Sequence, residues 1–271
     1  TAASEEGGDS DHNVPAAPGA ALSSEKGGVD MPTKEFAEMA LSFAGGDGGN
    51  LNSGVWFCGF EWGNLTRTDM VETIEKEFVP VVRPTSWLDE DFEGSWDTNY
   101  NRKICWFLSY FYDLDDRGMS YGEFVMKYNI LHPDGVGFKL NLLPIRFSDR
   151  ASVEWSHAVK SATGFDSFAE YRAWCVTQRG QFFRDQMQLH RPRLLVCTGI
   201  GEQANFFNAF TNGAEPQLVQ LKDFSISVAR LGDTLVCVTP FFGGPSGINS
   251  YAKMEQLVAK LQELLKQGVT V

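Results

Sequence analysis

Positive charge is what this sequence most lacks. Its 271 residues hold 23 Lys and Arg against 35 Asp and Glu, a formal net charge of −12. Duplex DNA is gripped largely through phosphates neutralised by Lys and Arg, so strong non-specific DNA affinity is not expected, while a small cationic groove on an acidic body is compatible with this charge. Six acids (Glu5, Glu6, Asp9, Asp11, Glu25, Asp30) against Lys26 put −5 of that total in residues 1–30 and −7 in the rest. That Gly/Ala/Ser-rich segment is expected to be a disordered acidic tail or an expression remnant. Cysteine is also sparse: five residues, an odd number, with no CxxC spacing, and Cys58, Cys197 and Cys237 sit in apolar strand-like runs. They read as buried thiols, neither disulfides nor metal ligands. His132, His157 and His190 are scattered without metal-ligand spacing, so no metal or cofactor is expected. No apolar run approaches the roughly 20 residues that span a bilayer, and the start of the chain has no charged segment leading into an apolar one. The expectation is a soluble, cytoplasmic monomer.

What is present is core-forming material, 43% hydrophobic and 13% aromatic, enough for one α/β domain over residues 31–271. Pro32 to Phe43 has helical spacing and runs into the flexible-looking turn Gly45-Gly46-Asp47-Gly48-Gly49. Gly54 to Gly59, Gly137 to Leu143 and Leu194 to Thr198 are apolar runs of strand length that suit buried parallel strands. Arg102 to Tyr112 predicts a core helix and Tyr121 to Tyr128 a short helix or turn. A long helix is expected from the Phe165 region to His190, with Gly180 as a break, and another from Glu202 to Phe210. Phe224–Arg230 and Thr234–Val238 suggest a hairpin around Gly232-Asp233, and Tyr251 to Gln267 forms a final amphipathic helix. Strands alternating with helices predict a three-layer αβα sandwich with a central, mainly parallel sheet of four or five strands. The ligand crevice of such a sheet lies beyond the carboxyl ends of its strands, where Glu61, Asn141 and Gly243 to Asn249 converge.

Three segments carry chemistry. They are Gly59-Phe60-Glu61-Trp62-Gly63 after the first apolar strand, Lys139-Leu-Asn-Leu-Leu-Pro144 in the second, and Gly243-Gly-Pro-Ser-Gly-Ile-Asn-Ser250 before the last helix. In order and spacing they resemble the active-site motifs of the uracil-DNA glycosylase superfamily, closest to the mismatch-specific uracil/thymine DNA glycosylases. Arg191 to Ala204 resembles the strand and helix start that lie between the last two motifs in that group. The resemblance covers roughly residues 50 to 265. It implies a monofunctional, metal-independent DNA glycosylase that flips a base from DNA, single- or double-stranded, and hydrolyses its N-glycosidic bond.

The resemblance also implies roles. Glu61 stands where relatives carry a catalytic Asp or Asn, to activate water and support an oxocarbenium-like sugar; otherwise it solvates an ordinary strand-to-loop turn. Trp62 replaces a usual Pro. Gly63 stands where strict uracil enzymes place a bulky aromatic, so glycine leaves room for a substituent on carbon 5, or simply serves a turn. Gly59 and Phe60 border the base, Phe60 either stacking on it or packing in the core. Asn141 is an amide inside an apolar strand, reading a pyrimidine edge or bonding nearby backbone. Gly244 takes the place of the leaving-group donor, His or Asn in relatives, so Gly243 and Gly244 offer backbone N–H groups or open the pocket. Pro245 and Ser246 complete the loop, with Ser246 holding a phosphate, and Ile248 is either the DNA wedge or a hydrophobic staple. Lys139, Arg146, Arg150, Arg191 and Arg193 supply candidate phosphate contacts. The half phosphate loop Gly199-x-Gly201 lacks a third glycine and a Walker lysine.

The opened positions imply a 5-substituted pyrimidine substrate, such as the glucosylated hydroxymethylcytosine of a phage genome removed in antiviral defence. A mismatch uracil/thymine repair enzyme, a non-catalytic nucleotide- or partner-binding module, and an enzyme of free nucleosides or nucleotides are the alternatives.

Overall fold

The computed structural model describes residues 31–61, 78–87, 98–145 and 155–267. Trp62, Gly63, Arg146, Arg150, residues 88–97 and the acidic residues 1–30 lie outside them. Seven strands form one sheet: β1 (Gly48–Gly49), β2 (Val55–Gly59), β3 (Phe138–Asn141), β4 (Leu194–Thr198), β5 (Gln217–Gln220), β6 (Ser225–Leu231) and β7 (Thr234–Thr239). Their order is β1-β3-β2-β4-β7-β6-β5. The block β3-β2-β4-β7 is parallel, whereas β1 on β3, β6 on β7 and β5 on β6 are antiparallel. The sheet is therefore mixed and has seven strands, a correction to the expected four or five in a mainly parallel arrangement. The parallel block is what the apolar runs specify, since every residue of β2, β3, β4 and β7 is buried, as in a strand covered on both faces. The additions carry no such signal. β1 is two glycines, and β5 is Gln-Leu-Val-Gln with only Val219 buried.

Alternate strand residues feed two cores. Trp56, Cys58, Leu195, Cys197, Val236 and Val238 enter one, with α1 (Lys34–Ala40), α4 (His157–Thr163), α5 (Phe168–Trp174), α6 (Gly180–His190) and α7 (Gln203–Thr211). Val55, Phe57, Leu194, Val196, Leu235 and Cys237 enter the other, with α2 (Asn99–Tyr112), α3 (Tyr121–Tyr128) and α8 (Tyr251–Lys266). Side-chain hydroxyls begin these helices: Thr98 caps α2, Ser120 forms a capping box with Glu123 on α3, and Ser250 caps α8. Met254, Leu257, Val258, Leu261 and Leu264 are the buried stripe of α8.

Gly180 does not break the long helix. α5 and α6 are joined by one π turn, Cys175–Arg179, and Gly180 opens α6 where it crosses α7. A Cβ on Gly180 would lie 2.8 Å from the Ala209 Cα, closer than such atoms pack, so the glycine sets the separation of α6 and α7. All five thiols are free and buried, and burial pushes those of Cys105 and Cys175 up to about 12.

Two outcomes are expected. Gly180→Ala should lower stability by about 1–3 kcal/mol through overpacking, read as a reduced denaturant midpoint at unchanged slope. Iodoacetamide at pH 8 should leave the native protein unlabelled and modify five cysteines once it is denatured; rapid labelling of the native form would contradict the placement of these thiols.

Candidate active site

The chain leaves β2 for β3 on one side and later reaches β4 on the other, so the switch point of the sheet lies at the carboxyl end of β2. Gly59, the last residue of β2, is the register partner of Asn141, the last residue of β3. The strands stay joined past the ladder, Leu142 N–H donating to Gly59 O at 3.0 Å and Leu143 N–H to Phe60 O at 2.8 Å. Gly59 has a steric reason to be glycine, because a Cβ there would run into Asn141 Oδ1. Glu61 follows two residues on, half-buried, with its Oε2 shielded from solvent. Asn141 is 3% exposed and donates one amide N–H to Gly45 O at 2.9 Å; its second N–H makes no hydrogen bond among the described residues.

Gly45 is held in place by a residue the sequence did not single out. Arg179, on the π turn and wholly buried, donates from Nε and Nη2 to Asn141 O at 3.2 Å, to Ser42 O at 3.0 Å, to Ala44 O at 2.5 Å, and to Ala40 O. No carboxylate pairs with it among the described residues. Burial lowers its guanidinium to about 10, which still leaves it charged at neutral pH.

A second polar group lies on the α2 side of the same strand ends. Asp47 Oδ2 accepts from Lys139 Nζ at 2.5 Å and from Trp87 Nε1 at 2.9 Å, while Lys139 also donates to Asn101 Oδ1 at 3.1 Å. Lys139 is thus a buried, paired core cation and not the phosphate contact expected of it. Its ammonium lies 5.2 Å from the centroid of Tyr100, whose hydroxyl is 2.8 Å from Thr198 Oγ1 at the end of β4. Burial raises the Tyr100 phenol well above its ordinary value, so it stays protonated. The signal for this group was a single acid set among four glycines, which reads as a flexible turn unless its partner on β3 is known.

The loop after β7 closes on Phe241. Its carbonyl accepts from Gly243 N–H at 2.9 Å and from Ile248 N–H at 3.0 Å. Asn249 Nδ2 donates to Gly244 O at 3.1 Å and Pro245 O at 3.0 Å, and Lys253 Nζ to Gly247 O at 3.1 Å. Gly243 and Gly244 have φ of 137° and 68°, a region that favours glycine. Gly244, Pro245 and Ser246 are exposed. Of the two backbone donors expected here, the Gly243 N–H is spent inside the loop, whereas that of Gly244 makes no hydrogen bond among the described residues.

At four places burial, strand position or hydrogen bonding favours the structural alternative over a ligand role. Ile248 is 0% exposed and packs in the α2/α8 core, so it is a staple residue that cannot enter a duplex. Phe60 is 4% exposed, edge-on to Phe206 at 5.8 Å, which makes it a core residue. Arg191 and Arg193 precede β4 and lie at the amino ends of the strands, across the sheet from the crevice. The N–H of Gly199 goes to Thr239 O at 2.9 Å, joining two strand ends instead of cradling a phosphate. Among the described residues no three of His, Cys, Asp and Glu come together as a metal ligand set.

No protein-family model and no curated protein matches the chain.

The Asp47–Lys139 pair generates a prediction. Lys139→Met should cost about 3–5 kcal/mol by stranding a buried carboxylate, and adding Asp47→Asn should recover part of that loss. Urea unfolding of the two single variants and the double variant gives the coupling, and additive losses would show that the pair is not a unit.

Proposed function

We propose that the protein is a monofunctional DNA glycosylase of the uracil-DNA glycosylase type, acting at the carboxyl ends of β2, β3 and β7. The observation that carries this reading is the register of Gly59 with Asn141, which brings an acid two residues beyond one strand end beside an amide at the next. In the proposed reaction Glu61 orients a water against C1′ and takes its proton as the C1′–O bond forms and the C1′–N bond breaks. Its charge favours the cationic sugar, and the base leaves with negative charge that ends as a proton gained on nitrogen. The free N–H of Asn141 and the unspent N–H of Gly244 are the donors on the departing base. The one lysine in the three motif segments, Lys139, is held in its buried pair with Asp47, so a Schiff-base lyase step is not part of the scheme.

A 5-substituted pyrimidine suits the loop after β7, because nothing lies within 4 Å of where a Gly244 side chain would begin. A hypermodified cytosine of phage DNA, removed in defence, is the substrate within this proposal; Gly63, the other position behind it, lies outside the described residues. The acidic charge of −12 favours the second reading, hydrolysis of free nucleosides or nucleotides.

The test is base release from DNA carrying uracil, a thymine mismatch, hydroxymethylcytosine or glucosylated hydroxymethylcytosine, and from the matching mononucleotides. Glu61→Gln should reduce release by about 10²–10⁴-fold while DNA binding persists. Release from mononucleotides alone would install the second reading, and silence on every substrate would reject both.

A further inference from the structure

Resting on the nucleic-acid reading of this crevice, we propose that Phe241 is a stacking platform for an unpaired nucleobase. It is the one exposed phenylalanine among the described residues, 52% exposed, whereas its neighbour Phe242 is wholly buried against Phe57, Phe107 and Tyr100. The exposed ring is not loose. It stacks on Tyr100 with centroids 5.1 Å apart and planes 23° from parallel, and Tyr100 is itself tied to the end of β4 through Thr198. The Phe241 backbone is fixed as well, since its carbonyl receives the two N–H groups that close the loop, and a Cβ on Gly247 would run into that same oxygen. With one face on Tyr100 and one edge near Gly243, the residue still keeps 52% of its surface exposed.

An apolar side chain held rigidly in water, on a backbone with no freedom to retract it, has the form of a ligand contact. The chemistry beside it selects the ligand. The free N–H of Gly244 and the exposed hydroxyl of Ser246 can meet the sugar or phosphate of a nucleotide whose base lies on the ring. The exposed Ile200, just past β4, extends the apolar surface at the strand end joined to that of β7. Two cations near the crevice among the described residues are already engaged: Lys139 is buried in its ion pair and Lys253 donates to the Gly247 carbonyl. A protein of net charge −12 that holds nucleic acid therefore depends on contacts other than charge, and stacking is sequence-tolerant and insensitive to charge. The same ring supplies the surface contact with DNA that the buried Ile248 does not.

The experiment uses the full chain with Glu61→Gln, which separates binding from base release. The probe is a single-stranded oligodeoxynucleotide bearing 2-aminopurine, whose fluorescence is quenched on stacking. Adding Phe241→Ala should weaken binding roughly 5- to 150-fold and abolish the quench, Phe241→Leu should do the same despite its apolar bulk, and Phe241→Trp should restore both. Because the ring is exposed, thermal melting of all four proteins should agree. Binding should fall less steeply with salt than for a protein that neutralises several phosphates. Unchanged affinity and quench in Phe241→Ala would overturn the platform and leave the glycosylase reading standing. No binding by the parent protein would overturn both. Loss of self-association in Phe241→Ala, with DNA binding intact, would assign the ring to a protein contact and also overturn the proposal.

Discussion

The Arg179 guanidinium, buried with no carboxylate on it among the described residues, holds the candidate site together. Its donors are spread over the carbonyls of Ala40, Ser42, Ala44 and Asn141, so one side chain terminates α1, shapes the turn that follows and grips the end of β3. A charge without a counter-ion is costly to bury, and it is tolerated only where the hydrogen bonds to the charged form are saturated, as they are here. Two contacts at the crevice follow from that grip. Gly45 O meets the Asn141 amide, and two residues later Asp47 reaches Lys139 and Trp87. The π turn is the local distortion that goes with this arrangement. The extra residue in the turn separates Arg179 from a regular helical register, and such turns recur at functional sites.

The parallel block was legible in the sequence because strands buried on both faces must be apolar throughout, and Val55–Gly59 and Leu194–Thr198 are. The β6–β7 hairpin was legible from Gly232-Asp233, and α8 from its leucine spacing. β1, β5 and α4 were not. Two glycines have no pattern, one buried residue in four is too little for β5, and α4 is seven residues with only Val159 and Thr163 buried. At the site, single residues at strand ends were readable while directions were not. Asn141 stood out as an amide in an apolar run. The pattern around Ile248, however, admits an outward wedge or an inward staple, and only the packing of α8 against α2 turns it inward. Arg179 and Lys139 look like surface cations in one dimension, since their partners lie 38–139 and 38–92 residues away.

Charge divides the molecule in a way that composition hides. Arg191 and Arg193 stand at the amino ends of the parallel strands, Lys139 is paired inside, and among the described residues the carboxyl ends present Glu61, aromatic rings and loop backbone. In the proposed reading, association with DNA relies on an overall charge of −12, without the long-range attraction that speeds basic proteins to their sites. Specificity must then come from short-range contacts made after encounter. That arrangement suits an enzyme selecting a rare nucleotide better than one that scans long stretches of unmodified duplex.

The loop after β7 also bears on the chemistry of the departing base. A histidine or asparagine donor would need a side chain at Gly244, where φ of 68° favours glycine, although asparagine takes the same region at Asn129 and Asn212 and the space around Gly244 is open. A loop closed by Asn249 over two glycines gives up the side-chain donor and gains an unspent N–H together with room beside it. A neutral backbone N–H holds a departing anionic base less strongly than a charged histidine would, so more of the leaving-group stabilisation falls to the base itself. In the proposed reaction this favours a pyrimidine whose anion is already stabilised or whose substituent makes contacts of its own, and it works against an unsubstituted base that relies on the protein alone.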